Sequence, residues 1–156
     1  MKKNNSFKIQ NLNFIKVNYS DSHIKALFKI LKDRKINSSI SHKKLPTYKE
    51  HKKFVLSMPY RYWLFIRGEN INLGSVFVSR NNEISINLLE NDESTYAEVL
   101  HFVINNFKPL KAIPSKRNSN FILNISPKNK FVLNILKKFK TEKVQETYKV
   151  DNKIHD

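Results

Sequence analysis

The spacing of hydrophobic positions in the first third of the chain predicts one extended segment followed by a helix. Residues 7–19 place apolar side chains between polar ones, which is typical of a strand. Residues 20–22, Ser-Asp-Ser, then offer helix caps, and apolar side chains follow at intervals of three and four residues. The apolar positions of this helix are Ile24, Leu27, Phe28 and Leu31.

A second helix is predicted after a polar loop at residues 37–42. Thr47 and Glu50 have the spacing of a capping box, in which each side chain hydrogen-bonds to the backbone of the other residue. Pro59 ends the helix, because proline lacks the N–H group that would continue it. The large apolar residues of this segment are Phe54, Val55 and Met58.

Three strands are predicted next, at residues 60–67, 72–79 and 83–89. All three are rich in β-branched or aromatic residues, and only a few polar residues separate them. Connections this short join antiparallel neighbours, so the segment predicts an antiparallel meander.

The last third of the chain predicts two helices and two strands. Thr95 and Glu98 repeat the capping-box spacing and predict a helix that runs to about residue 107. A basic loop at residues 108–120 follows. The remaining predicted elements are a strand at 121–125, a helix at 129–140 and a strand at 144–150.

The order of these elements predicts an α/β (α+β) fold. One central mixed sheet contains the antiparallel meander, and about four helices cover it. No repeat or linker interrupts the chain, so residues 1–156 are expected to form a single domain. Short flexible ends are expected at about residues 1–6 and 151–156.

Composition excludes several classes of protein. The absence of cysteine excludes disulfides, thiolate metal sites and a cysteine nucleophile, and it fits a cytoplasmic location. Two glycines, Gly68 and Gly74, are too few for a P-loop or a dinucleotide fingerprint. The five histidines lack metal-ligand spacing, and His101 is interpreted as a core or surface residue, so no metal is expected. No apolar run approaches the roughly 20 residues of a membrane span.

The formal net charge of +16 has two interpretations. A positive protein can bind a polyanion such as nucleic acid. Alternatively, lysine, asparagine and isoleucine are abundant along the whole chain, and the charge is then solvated surface. The lysines are scattered in the sequence, so the second interpretation is favoured and a nucleic-acid partner is not expected.

Several short segments resemble the GNAT superfamily of acyl-CoA-dependent N-acetyltransferases. PYRYWLFI resembles the second strand of small bacterial members that acetylate amino-sugar nucleotides or similar amines, and LGSV resembles the glycine-bearing third strand. NNEISI resembles the fourth strand, and NISPKNK and QETY resemble segments near the end. These five segments lie at residues 59–66, 73–76, 81–86, 124–130 and 145–148, and the resemblance extends from about residue 8 to residue 150.

The resemblance implies transfer of an acetyl group from acetyl-CoA to a small primary amine, such as that of an amino-sugar nucleotide. In that family, backbone N–H groups of a glycine-rich turn and of a helix N-terminus hold the pyrophosphate. The residues that the resemblance assigns to acetyl-CoA are Leu88, Leu89, Ser94, Thr95, Tyr96, Asn124 and Asn129.

The turn ENDEST, residues 90–95, departs from the family pattern. The glycine-rich loop of the family falls on residues 93–98, where neither glycine is present. Glu90, Asp92 and Glu93 would face a pyrophosphate of like charge. The aromatic residue that often protonates the leaving thiolate falls on Leu136.

Three further side chains are candidates for the chemistry. Glu83 is the candidate general base, with an alternative structural role as a partner of Arg80 or of a lysine. Tyr60 and Tyr62 are candidates for the acceptor pocket. Strand alternation places both tyrosines on one sheet face and Trp63 on the other, and packing in the core is their alternative role.

Three functional hypotheses follow. The first is an N-acetyltransferase with an atypical cofactor loop. The second is a catalytically inactive GNAT-fold binding or assembly module, and a closed gap beside residues 87–96 would favour it. The third is a basic nucleic-acid-binding protein, which rests on the charge alone. A monomer or a homodimer is expected.

Overall fold

The computed structural model describes residues 6–9, 11–34 and 44–148. The polar loop predicted at 37–42 lies outside these ranges. The ends expected to be flexible, 1–6 and 151–156, also lie outside them, except for the backbone of Ser6.

The described residues form one six-stranded sheet and four helices, so the mixed α+β fold is confirmed. The strands lie side by side in chain order, and every neighbouring pair is antiparallel except the last, which is parallel. The strands are β1 Ser6–Ile9, β2 Leu12–Lys16, β3 Tyr62–Arg67, β4 Asn72–Val78, β5 Glu83–Leu88 and β6 Ile122–Leu123. The helices are α1 Asp21–Asp33, α2 Tyr48–Leu56, α3 Glu93–Asn106 and α4 Lys130–Leu136.

The structure corrects both ends of the predicted sheet. The segment predicted as one strand at 7–19 is a hairpin, because the chain turns at Asn11 and β1 pairs with β2. The strand predicted at 144–150 is absent from its described part, residues 144–148, where side chains are exposed and hydrogen-bond to one another. The nearest strand in sequence, β6, has only two residues and offers little backbone for pairing.

The helices cover the two faces of the sheet. The face that packs against α3 is called the α3 face, and the opposite face is called the α1/α2 face. On the α3 face, the ring of Phe14 stacks on that of Phe102 at 3.8 Å between centroids. The buried residues of this face are Leu12, Phe14, Leu64, Ile66, Val76, Val78 and Ile84, with Val99, Leu100, Phe102 and Val103 of α3. Each such side chain contributes roughly 1.5–3 kcal/mol of hydrophobic free energy.

The α1/α2 face has a smaller core. Its buried residues are Val17, Ile24, Leu27, Ile30, Val55, Trp63 and Phe65. The predicted capping box of α2 is confirmed, since Glu50 N–H donates to Thr47 Oγ1 and Thr47 N–H donates to Glu50 Oε2. Of the large apolar residues expected along this segment, only Val55 is buried, and Phe54 and Met58 are exposed.

Gly74 allows β4 and β5 to approach closely. Its φ angle is +152°, and a Cβ atom at this position would lie 2.1 Å from the carbonyl oxygen of Asn87. Close packing of the β4 and β5 backbones therefore requires glycine at this position.

Candidate functional site

The candidate site lies where the parallel strands β5 and β6 separate. Their ladder contains two residue pairs, Glu83 with Ile122 and Ile84 with Leu123, whereas β5 continues to Leu88. A cavity of about 40 Å³ lies beyond the ladder. Its lining comes from β5, the segment after β6, and helices α3 and α4: Ile84, Ser85, Ile86, Asn87, Tyr96, Leu123, Asn124, Ile125, Ser126, Asn129 and Val132.

Tyr96 largely fills this gap. The side chain is 2% exposed and packs with Val132 and Ile135, and its ring meets that of Phe131 edge-on at 6.2 Å. Burial raises the pKa of Tyr96, because the phenolate would lose its hydration. The remaining cavity of about 40 Å³ is much smaller than the roughly 300–1,000 Å³ of ligand-binding clefts.

The acidic turn before α3 provides the cap of that helix. Asp92 is the N-cap, and its Oδ1 accepts the Thr95 N–H at 2.5 Å. Hydrogen bonds from the side chain and backbone of Thr95 lower the pKa of Asp92. The capping box predicted at Thr95 and Glu98 is therefore wrong: the cap lies three residues earlier, and Glu98 accepts from Ser94 Oγ at 3.2 Å.

The helix N-terminus thus already holds an anion of the protein itself. The Asp92 carboxylate lies where the partial positive charge of the helix is concentrated, and it takes one of the N–H groups that an external phosphate would use. Glu93 pairs with Lys138, just after α4. Both carboxylates therefore have structural partners.

Glu83 connects the β4–β5 turn to the segment after β6. Ser79 Oγ donates to its Oε2 at 2.8 Å, and Asn124 Nδ2 donates to its Oε1 at 3.1 Å. Arg80 or a lysine was the partner expected if Glu83 has a structural role. Arg80 instead donates to the carbonyl oxygens of Met58 and Pro59.

The other residues assigned to the cofactor also have partners within the protein. Asn129 caps α4 by accepting the Val132 N–H at 3.2 Å. Leu88 packs against the α3-face core and against Tyr96, and the Leu89 N–H donates to the Leu73 carbonyl at 2.9 Å. The structure gathers Leu88, Tyr96, Asn124 and Asn129 around the gap between β5 and β6.

The two candidate tyrosines lie on opposite sheet faces, so the prediction that they share one is wrong. Tyr60 stacks on Phe77 at 3.7 Å on the α1/α2 face, with Trp63 at 4.9 Å. Tyr62 stacks on Phe107 at 4.1 Å on the α3 face. The reason is that Tyr60 precedes β3, so strand alternation does not extend to it. Burial raises the pKa of Tyr60 to about 12.

Sequence reasoning missed Asn82. It is fully buried at a positive φ of 63°, and its Nδ2 donates to the carbonyl oxygens of Leu110 and Asn118, each at 2.8 Å. Its Oδ1 accepts the Leu110 N–H at 2.7 Å. An asparagine in a turn can indicate a positive φ angle from sequence. Its hydrogen-bond partners cannot be predicted in this way, because they lie 28 and 36 residues away.

Hydrogen bonds from Arg117 connect the basic loop at 108–120 to the rest of the fold. Its Nε donates to the Lys111 carbonyl at 2.8 Å, and its Nη1 donates to the Arg80 carbonyl at 2.9 Å. His101 is exposed on α3, with its ring 4.9 Å from that of Phe139. Within the described residues, no three His, Asp or Glu side chains could hold a metal ion.

Comparison with known proteins supports the fold. No family model and no curated protein matches the chain. A solved structure, described as the crystal structure of a domain from Methanocaldococcus jannaschii DSM 2661, matches with a TM-score of 0.62. It is 17% identical, and the match covers 91% of this chain and 92% of that one. At this identity the likeness shows the fold alone.

No described helix is long and apolar enough to cross a membrane.

Acetyl-CoA, the cofactor implied by the resemblance, does not fit the residues around the gap. Its pyrophosphate would meet the Asp92 carboxylate at the N-terminus of α3. Its pantetheine arm would need a channel where Tyr96 and a cavity of about 40 Å³ lie. The Asp92 side chain is exposed, so its repulsion of a phosphate is on the order of the 1 kcal/mol expected in water.

Proposed function

We propose that this chain is a GNAT-like scaffold that acts as a binding or assembly module and does not transfer acyl groups. One observation carries the proposal: Asp92 caps α3 at the position where the family binds pyrophosphate. An internal carboxylate is held there at high effective concentration, whereas a phosphate from solution must displace it and overcome its charge.

The closed gap supports the same proposal. In an acyltransferase, the acyl group must reach the amine through an open cleft, because both reactants have to lie in contact. Here Tyr96 packs between β5 and α4, and the carboxylate oxygens of Glu83 accept hydrogen bonds from Ser79 and Asn124. Glu83 thereby links the β4–β5 turn to the segment after β6.

An N-acetyltransferase remains the second candidate, because β5 and β6 separate after two residue pairs and α3 begins beside that point. This is the arrangement that the resemblance implies for acetyl-CoA. An enzyme of this kind would need Tyr96 and the turn at residues 90–95 to move apart before the cofactor enters.

Isothermal titration calorimetry with acetyl-CoA separates the two candidates. We expect no saturable heat at millimolar ligand, and no release of free CoA thiol when small primary amines are added. The titration is repeated at about 0.15 M and about 0.5 M salt, because screening removes unspecific attraction between an anionic ligand and a positive protein. Saturable binding that persists at the higher salt, or turnover of any amine, would overturn the proposal.

A further inference from the structure

Lysine is distributed unevenly between helices α1 and α2 and helix α3. Helices α1 and α2 carry three lysines each, against the acids Asp21, Asp33 and Glu50. Helix α3 contains acids but no lysine or arginine. Helix α4 contains one lysine and further lysines flank it, so the contrast holds between α1/α2 and α3 and does not extend to the whole sheet face.

A shallow groove of about 460 Å³ lies at the junction of α1 and α2. Lys25, Lys29 and Lys32 are exposed and line it, and their spacing of four and three residues places them on one helix face. Phe28 and Tyr48 also line it, with their rings 5.3 Å apart in an edge-to-face arrangement. The volume falls within the roughly 300–1,000 Å³ of ligand-binding clefts.

Nearby acids offset part of this charge, since the pKa of Asp21 is lowered chiefly by Lys52 and to a smaller extent by Lys25. The Asp21 carboxylate pairs with Lys52, and Glu50 is engaged in the α2 capping box. Among the described residues, no carboxylate lies within salt-bridge distance of Lys25, Lys29 or Lys32. Asp33 is the one acid among the described residues that line the groove.

The arrangement fits a chain of phosphates better than a single phosphate. Lys25 and Lys32 are seven residues apart, so the row extends over about 10 Å along the helix. A lone phosphate is bound by donors that converge on one point, whereas a row of separate charges matches a polymer. The partly buried rings of Phe28 and Tyr48 lie beside that row and offer surface to a nucleobase.

We propose that the α1/α2 groove binds single-stranded nucleic acid, with phosphates along the lysine row and a base against Phe28 and Tyr48. A lipid surface is less suited, because a flat bilayer does not enter a groove and has no planar ring to stack. This inference stands apart from the site between β5 and β6, and it holds whether or not that site binds acetyl-CoA.

Fluorescence anisotropy with a labelled oligouridylate of about 20 nucleotides tests the inference at several salt concentrations. The triple variant Lys25→Gln, Lys29→Gln, Lys32→Gln should reduce the slope of log affinity against log salt by about 2, and should weaken binding about 100-fold near 0.1 M salt. The control triple, Lys108→Gln, Lys111→Gln, Lys116→Gln, changes the net charge equally on an exposed loop and should have a much smaller effect.

The aromatic contact is tested with Tyr48→Leu, which should weaken oligouridylate binding about 10-fold and leave heparin binding unchanged, because heparin has no bases. Circular dichroism checks that each variant remains folded. Equal losses in the two lysine triples, or equal effects of Tyr48→Leu on both polyanions, would overturn the proposal. So would wild-type protein that binds phosphatidylserine vesicles through this lysine row but does not bind oligouridylate.

Discussion

At the scale of single residues, the acidic turn before α3 is explained by what its carboxylates contact. Asp92 accepts the Thr95 N–H, and Glu93 pairs with Lys138. The Glu93 pair is largely exposed and contributes little to stability, on the order of 0–1 kcal/mol. The Asp92 cap contributes more, because it satisfies a backbone donor and lies at the positive end of the helix dipole.

Replacing Asp92 should therefore reduce the free energy of unfolding. We expect Asp92→Ala to cost about 1 kcal/mol in urea unfolding at pH 7, and Asp92→Asn to cost much less because asparagine also caps helices. Equal losses in the two variants would show that capping is not the role of this side chain.

The contribution of Asp92 should also depend on pH. Its pKa is lowered in the folded protein, so its contribution is fully present above the unfolded-state pKa of about 3.9 and is lost as pH falls through the folded-state pKa. The difference in unfolding free energy between wild type and Asp92→Ala should be constant from pH 7 to pH 5 and shrink below pH 4. A difference that grows on acidification would contradict this assignment.

Gly74 and Gly68 form a matched pair for testing close backbone packing. Gly74→Ala should lower the free energy of unfolding by more than about 3 kcal/mol or prevent folding, since its Cβ would lie 2.1 Å from the Asn87 carbonyl oxygen. Gly68→Ala meets nothing closer than 3.4 Å and should change stability by less than about 1 kcal/mol. Similar behaviour of the two variants in thermal unfolding would be evidence against the close approach of β4 and β5.

At the scale of elements, the long loop between α3 and β6 is held by the buried side chain of Asn82 in addition to Arg117. Asn82 makes three hydrogen bonds to the backbone of Leu110 and Asn118, and its own carbonyl accepts the Ile122 N–H. The β4–β5 turn therefore positions both this loop and the start of β6.

Asn82→Ala should weaken the loop and the global fold together. We expect a loss of about 2–4 kcal/mol in unfolding free energy, because the variant leaves buried backbone groups without partners and places alanine at a positive φ. Hydrogen exchange in residues 107–120 should accelerate. Asn81→Ala, at a partly exposed neighbouring position, serves as the control. Unchanged hydrogen exchange in Asn82→Ala would show that this side chain does not hold the loop.

Local patterns predicted most elements but not their contacts. The helices and the meander follow from side-chain periodicity and turn residues, and the α2 capping box follows from residues three apart. The cap at Asp92 was missed because Thr95 and Glu98 match the same pattern. Asn82 was missed because its partners are distant in sequence, and the faces of Tyr60 and Tyr62 were misassigned because Tyr60 lies before the strand.

At the scale of the whole molecule, the two faces of the sheet differ in character. The α3 face holds the larger core, and Tyr96 of α3 packs into the gap between β5 and α4. The α1/α2 face has the lysine-lined groove and less apolar burial. Among the described residues, Tyr96 thus packs into the gap beside β5, whereas the groove at the junction of α1 and α2 is open and lined by three lysines.

The N-terminal turn of α3 gives the most direct test of the central claim, that this helix end does not meet a phosphate. Backbone amide resonances of residues 93–97 can be followed by NMR while acetyl-CoA is added to the uniformly ¹⁵N-labelled protein. We expect these resonances to stay in place at millimolar acetyl-CoA, because Asp92 already caps the helix. Saturable shifts confined to residues 93–97 and the lining of the β5–β6 gap would contradict this claim and would support the acyltransferase hypothesis.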